Sequence, residues 1–533
     1  MTETTPRPIA SSIYTDPCRS EAIAAAPPCA PSRAGPFVLA AAILASAMAF
    51  IDGTVVNVAL PIIQRDLGAS AIGLQWIVES YALFLAALLL TAGAMGDRFG
   101  RRLVFAVGVG IFAAASLWCG LAASVPELIG ARAAQGIGAA LLVPGSLALI
   151  GAHFPKETRG RAIGTWSAAT ALTMALGPVL GGWLAENVSW RWIFFINLPV
   201  AAVALAITLT RVPESRNEND TAPPDWTGAA LATFGLGALV FGLIEAGRLG
   251  LGDPLVAAGL TAGVAGLAGF WLHQLRSSHP MIPPGLFGSG TFTGANLMTL
   301  LLYAALGGAL FFLPLYLIQV RGYTATGAAA AFLPFVVIMA AASRSSGALA
   351  DRLGVRLPLI AGPAVTAAGF GLLAAPGLGT GYWTEIFPAI AVLGGGMALT
   401  VAPLTTAVMS SVPDGREGTA SGINNAASRV AALLAIAVFG LIAVTLAEGQ
   451  LRAQLSEMLP AEFAGDVTRM TFAFGAVELP PDLDREFGDT VRALAKRNFA
   501  EAYRVIMWLA ALISLAASAL AWLLVRPEGE ARE

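Results

Sequence analysis

The chain has 533 residues, of which 56% are hydrophobic and only 12% charged, with a mean hydropathy of +0.73. A soluble chain carries about twice that charged fraction, so this composition cannot cover a large water-facing surface. The net charge of −2 gives no footing for a nucleic-acid partner.

Residues 1–36 are rich in Pro, Ala and Ser and lack a basic start followed by an apolar core, which predicts a disordered cytoplasmic tail and not a signal peptide. Fourteen apolar runs follow, at about 37–60, 72–93, 103–123, 127–151, 163–185, 192–210, 227–247, 254–274, 293–319, 327–348, 357–375, 384–409, 421–447 and 502–525. About 20 apolar residues cross the hydrocarbon of a bilayer, and continuous runs of that length satisfy their backbone only as helices. The expected fold is therefore an all-α polytopic membrane protein with 14 transmembrane helices. Basic residues set the orientation. With the N-terminus inside, the short outer loops hold only Arg65, Arg191, Arg248 and Arg321, and the even number of runs puts both termini in the cytoplasm. Residues 448–501 form a longer extracytoplasmic segment of mixed charge, and 526–533 a short cytoplasmic tail. Cys18, Cys29 and Cys119 show no metal-ligand spacing and no disulfide framework.

An internal repeat organises these runs. Gly93-Ala-Met-Gly-Asp97-Arg98-Phe-Gly100-Arg101-Arg102-Leu103 is echoed 254 residues later by Gly347-Ala-Leu-Ala-Asp351-Arg352-Leu-Gly354-Val-Arg356-Leu357. A weaker echo pairs Gly160, Ala162 and Gly164 with Gly418, Ala420 and Gly422. Two parallel halves imply a major facilitator fold with the substrate site between them. The expected division is a six-helix bundle over 37–210, two extra spans with linkers over 211–290, and a second six-helix bundle over 291–525.

Three charged residues fall inside spans at similar expected depth: Asp52 in span 1, Glu79 in span 2 and Arg132 in span 4. A charge there costs at least ~2.5 kcal/mol and usually faces an interior cavity and finds a partner. A carboxylate in that setting either titrates during a transport cycle or forms a static pair that fixes helix packing; both readings stay open. Gly164, Gly177, Pro178, Gly181 and Gly182 in span 5 permit close helix contact and a bend, either as a seal or as ordinary membrane-helix packing. Trp76, Tyr81, Tyr303, Phe311 and Asn424 are candidates to line a substrate cavity.

Several of these stretches resemble the major facilitator superfamily, and within it the fourteen-span drug:proton antiporters of the EmrB/QacA type. The span-1 stretch Asp52-Gly-Thr54-Val-Val-Asn57-Val-Ala59-Leu60-Pro61 is similar to that family's span-1 motif. Gly93, Asp97, Arg98, Gly100, Arg101 and Arg102 match the superfamily's gate motif, and Arg132-Ala-Ala-Gln135-Gly136-Ile-Gly138 matches the motif linked to proton transfer. The span-5 glycines and Pro178 match the antiporter motif, with Thr173 standing where the family has Gly. In span 13, Ser421, Gly422, Asn424, Asn425 and Arg429 follow the family pattern, but Ala431, Ala432 and Ala435 replace its glycines.

The resemblance implies a proton-coupled antiporter in the bacterial inner membrane that exports small, largely apolar or amphipathic compounds, with Asp52, Arg132 and Glu79 in proton coupling. A proton-coupled symporter of a small nutrient and a non-transporting membrane sensor remain alternatives. No Walker, Gly-x-Ser-x-Gly or His-Glu-x-x-His pattern occurs, so neither an ATP-driven pump nor an enzyme is expected. The expected energy source is the proton gradient, with no cofactor and no metal. The expected partners are the lipid bilayer, protons and a small-molecule substrate, with the chain a monomer and no periplasmic adaptor identifiable.

Overall fold

A computed structural model describes residues 34–216, 223–375, 381–413, 416–458, 471–478 and 485–525. Of the expected tail over 1–36, residues 1–33 lie outside the described residues and Gly35 already opens the first helix; the tail over 526–533 also lies outside the described residues. Fourteen helices among the described residues are long and apolar enough to cross a bilayer. In chain order the helices are α1 (Gly35–Leu67), α2 (Ala71–Phe99), α3 (Arg101–Leu121), α4 (Val125–His153), α5 (Lys156–Asn187), α6 (Trp192–Phe195), α7 (Asn197–Arg211), α8 (Trp226–Leu249) and α9 (Pro254–Arg276). After a linker come α10 (Gly290–Gln319), α11 (Ala325–Ala330), α12 (Leu333–Leu353), α13 (Arg356–Ala374), α14 (Phe387–Ser410), α15 (Glu417–Ala443), α16 (Gly449–Met458) and α17 (Arg485–Leu524).

Local chemistry sets where these helices start and stop. Ser70, Ser124, Asp225, Asp253, Ser289 and Thr324 each stand just before a helix and accept a hydrogen bond from one of its first free N–H groups. Gly68, at φ 63°, closes α1 in the left-handed conformation, and Gly100, at φ 112°, turns α2 directly into α3.

Helices α1–α7 pack on one another, as do α10–α15 with α17. The two groups meet along α2 and α15, at α1 with α10, and at α5 with α11. The extra spans sit beside this seam: α8 touches both α2 and α15, and α9 packs on α8. Trp76 of α2 meets Phe241 of α8 here, with ring centroids 6.3 Å apart.

Several boundaries differ from the apolar runs. Helix α1 continues past residue 60 to Leu67, because its polar last turns still form backbone hydrogen bonds and Arg65 donates to the Pro61 carbonyl at 3.2 Å. Asp52 therefore stands near the middle of its helix, not near its outer end. Spans 6 and 10 are each built from two helices, broken at Ile196 and between Ala330 and Leu333. Within 448–501, helices of the flanking spans extend into the described residues. Span 13 runs through a π-turn at Val444–Glu448 into α16, and the last helix begins at Arg485 instead of 502. Between them Thr471–Ala473 and Ala476–Glu478 pair as a two-stranded antiparallel hairpin, the one strand pairing among the described residues. Phe474 at its tip lies 3% exposed among Phe311, Phe312 and Phe499.

Candidate functional site

Asp52 on α1 and Arg132 on α4 form an ion pair, with the carboxylate 0% and the guanidinium 1% exposed. Gln135, one turn after Arg132, lies on the same helix face and completes the arrangement. Its Nε2 donates to Asp52 Oδ1 at 2.8 Å and to Ser116 Oγ of α3 at 2.9 Å, while its Oε1 accepts from Arg132 Nη1 at 2.7 Å. Asn197, the first residue of α7, donates to the same Ser116 hydroxyl at 3.3 Å. Arg132 Nε donates to the Ile77 carbonyl of α2 at 3.2 Å, and its guanidinium lies 4.3 Å from the Tyr81 ring centroid and 5.9 Å from that of Phe194. Tyr81 Oη donates in turn to the Ala49 carbonyl at 3.2 Å. Every element of the first half except α5 thus contributes to one closed polar network.

That network offsets a large penalty. Two charges taken out of water each lose several kcal/mol of hydration, and only good geometry with full hydrogen bonding repays it. Here both carboxylate oxygens and the guanidinium have partners. Small residues make the geometry possible: a Cβ on Gly136 would collide with the Tyr81 backbone, and one on Gly138 would lie 2.6 Å from the Phe112 nitrogen.

Glu79 is different. It is 0% exposed and neither of its carboxylate oxygens has a hydrogen-bond partner. It lies one turn after Gln75, whose Nε2 donates to the Ile436 carbonyl of α15 at 3.2 Å, so Glu79 shares the face of α2 that meets the second half. The structure brings Asp52 and Arg132 together but keeps Glu79 out of their network.

The Gly93–Arg102 stretch is held by its own half. Asp97 pairs with Arg101 at 2.7 Å. The segment after α7 clamps the turn: Glu214 accepts from the Arg102 and Leu103 N–H groups at 2.9 and 3.1 Å, the Ser215 carbonyl accepts from Arg101 N at 2.8 Å, and Arg102 Nη1 donates to the Val212 carbonyl at 3.2 Å. Glu214 thereby caps the N-terminus of α3, where a carboxylate is favoured. In this conformation the ion pair of Asp97 is thus made within its own half. Arg98 lies over the Phe99 ring, and Gly93 has open space where a Cβ would stand.

The span-5 set divides by direction. Gly177 and Gly181 face α1: a Cβ on Gly177 would lie 3.1 Å from Ile51, and one on Gly181 would collide with Val55. Gly182 faces the second half, where a Cβ would lie 2.9 Å from the Ala325 backbone at the start of α11. One turn further on, Glu186 accepts from the Ala325 N–H and from Thr326 Oγ1, the latter at 2.6 Å. Gly164 faces open space. Pro178 lies inside α5, where it removes one helix hydrogen bond.

Of the cavity candidates, Phe311 is buried against Phe312 and Phe474, and Trp76 packs on α8 beside the seam. Tyr81 is committed to Arg132. Tyr303 and Asn424 are partly buried in the second half, where Asn424 Nδ2 donates to Thr299 Oγ1 at 2.6 Å and to Asn296 Oδ1 at 3.3 Å. Ser116, Asn197, Glu186 and Glu214 belong to these arrangements and were not singled out from sequence. Each is an isolated polar residue without motif spacing. The one available signal was position, because Asn197 and Glu186 lie at span ends that face other helices.

Comparison with known proteins places this geometry. The Major Facilitator Superfamily model matches residues 42–436. The chain is 35% identical over 479 residues to the multidrug resistance protein Stp of Mycobacterium tuberculosis, covering 87% of each chain. It is 35% identical to the tetracenomycin C resistance and export protein of Streptomyces glaucescens, covering 77% of this chain and 76% of that one. Among solved structures, a bacterial homolog of the human lysosomal transporter Spinster, inward-facing and unoccupied, superposes with a TM-score of 0.61 at 22% identity, covering 92% of this chain and 97% of that one. With two bundles meeting at a seam, a buried Asp52–Arg132 pair in the first and a family match over most of its length, the chain belongs to the Major Facilitator Superfamily, as a multi-pass membrane transporter.

Proposed function

We propose that this chain exports small, apolar or amphipathic toxic compounds from the cell in exchange for protons. Kinship with resistance exporters supports the direction and the broad substrate class. The observation that carries the coupling is the Asp52–Arg132 pair, fully buried at the centre of the first bundle. Export against a gradient needs an energy source, and the chain has no nucleotide-binding motif. A carboxylate whose guanidinium partner moves away in another conformation would bind a proton there and release it when the pair re-forms. Glu79, buried and unpaired at the seam, is the second candidate carrier.

The conformation fits a state closed outside and open inside, with both termini cytoplasmic. The hydrogen bonds that join α1 or α5 to α10 or α11 among the described residues lie at the end away from the termini: Gln319 with Gln64, and Ala325 and Thr326 with Glu186. Toward the termini, polar side chains of both bundles are exposed, including Thr165 and Ser167 on α5, Thr405 and Thr406 on α14, and Asn425 on α15. Thr165, Thr405, Thr406 and Asn425 each donate to a carbonyl one turn back on their own helix, and a water-filled cleft would satisfy the hydrogen-bonding capacity they have left. Asp97 and its neighbours act as the inner gate in the opposite state, when their end closes.

Efflux of a fluorescent amphipathic dye from cells, with and without collapse of the proton gradient, tests the reading. Extrusion should stop when the gradient is removed. Extrusion that continues unchanged would overturn the coupling, and no extrusion of any dye in the energised state would overturn export.

A further inference from the structure

Arg429 of α15 is the charge that the network above does not absorb. It lies near the middle of its helix and is partly exposed. Among the described residues it has no ion pair, since Asp52 is taken by Arg132 and Glu79 has no partner of its own. Its surroundings come from both bundles. The guanidinium is 5.8 Å from the ring centroid of Phe50 on α1. Phe50 meets Trp166 of α5 edge-on at 6.5 Å. Tyr81 of α2 and Tyr303 of α10 are within electrostatic reach. Arg429 therefore stands at the seam between the halves, near the level of the bilayer midplane, with aromatic rings around it.

A guanidinium kept in a membrane interior without a counter-ion is costly, and such groups pair or face a substrate pathway. The face of Phe50 compensates only part of a charge. The uncompensated part attracts an anion, and a planar carboxylate or an acidic phenol matches the guanidinium's donor geometry. We propose that Arg429 is the anion-recognising group of the central cleft, so that the preferred substrates join a carboxylate or an ionised phenol to an apolar aromatic body. The aromatic body lies among Phe50, Trp166 and Tyr303, and the anionic oxygen meets Arg429. This deepens the export reading and rests on it for the transport step alone. One electrical consequence follows: an anion leaving while a proton enters moves two charges in the same sense, so the inside-negative potential drives these substrates harder than neutral ones.

Three isosteric probes test recognition at equilibrium in detergent, where no gradient acts: 1-naphthoate, 1-naphthamide and 1-naphthylmethylammonium at pH 7. The wild-type protein should bind the carboxylate about tenfold or more tighter than the amide, the size of one charge-assisted hydrogen bond, and the ammonium weakest. Arg429→Lys should keep that order. Arg429→Gln should bind carboxylate and amide alike, the carboxylate losing about tenfold. A wild type that prefers the ammonium or shows no preference, or an Arg429→Gln variant that keeps the carboxylate preference, overturns the proposal. If Arg429→Gln is not monodisperse, modification of wild-type Arg429 by phenylglyoxal gives the same reading by mass spectrometry: naphthoate should protect it and naphthamide should not, and equal labelling overturns the proposal. Flux in proteoliposomes separates the two claims. Selective binding without proton-driven naphthoate flux removes the export reading and leaves recognition standing; proton-driven flux of the amide with no carboxylate selectivity does the reverse.

Discussion

The two bundles carry the same short sequence repeat, yet they treat charge in opposite ways. In the first, α1 and α4 carry Asp52 and Arg132, locked together and surrounded by Gln135, Ser116 and Asn197. In the second, the corresponding helices α10 and α14 carry no Asp, Glu, Lys or Arg. Their polar content is neutral, as in the contacts of Asn424 with Asn296 and Thr299, while Arg429, near the middle of α15, faces the seam. The same architecture thus supports a dry, self-satisfied charge site in one half and a neutral frame with a seam-facing cation in the other. The contrast suggests a division of labour, with proton exchange in the first bundle and substrate contact shared at the seam.

The largest expected effect comes from breaking the first bundle's pair on one side. Arg132→Met leaves Asp52 buried and uncompensated, which should destabilise the protein by about 3–5 kcal/mol. Adding Asp52→Asn should recover much of that loss, because two neutral residues no longer need each other. Thermal unfolding of the single and double variants in detergent measures both; a double variant as unstable as Arg132→Met alone would show that the pair is not the reason for the loss. The second bundle offers no such cycle, which sharpens the comparison.

Next is the contact of α5 with α1. Gly181→Val drives its branched side chain into Val55, and Gly177→Val presses on Ile51. Overpacking of this kind costs about 1–3 kcal/mol, here by pushing α5 away from α1. Both variants should lose efflux and raise proton leak in reconstituted vesicles. Gly164→Ala, at a position with open space around it, should do neither, and a leak from that variant would show that the motif does not act through contact.

A smaller effect is expected where the bundles touch at the end away from the termini. Glu186→Gln keeps the shape but weakens the bonds to the start of α11 by about 1–2 kcal/mol. The populations of the two conformations should shift away from the state seen here, which spin labels on α5 and α11 would read as a broadened distance distribution at that end. The smallest stability change belongs to Asp97→Asn. Its pair with Arg101 is partly exposed and contributes under about 1 kcal/mol, so melting should barely move. Transport should still fall if Asp97 serves as the proposed inner gate in the other state of the cycle; wild-type flux at equal expression would refute that role.

The fourteen spans were legible because apolar runs of bilayer length are strong signals. Asp52 and Arg132 were legible because charges are rare inside such runs. Their partners were not. Ser116 and Asn197 are unremarkable polar residues on separate helices, and only packing brings them to one hydroxyl. Helix ends were poorly legible because polarity rises before a helix stops: Gln64 and Arg65 still belong to α1, and Arg485–Ala500 already belong to α17. The surroundings of the aromatic candidates were not legible either, because a run gives a span's position but not its neighbours: Trp76 meets Phe241 of α8, and Phe311 meets Phe474 at the hairpin tip.

The central claim is that Asp52 is the titrating group that couples transport. In proteoliposomes with an imposed pH gradient, the wild-type protein should drive an amphipathic dye uphill. Asp52→Asn, which keeps the side chain's size but cannot titrate, should fail to do so while still exchanging dye down its own concentration gradient. Uphill transport by Asp52→Asn at the wild-type rate would contradict the account.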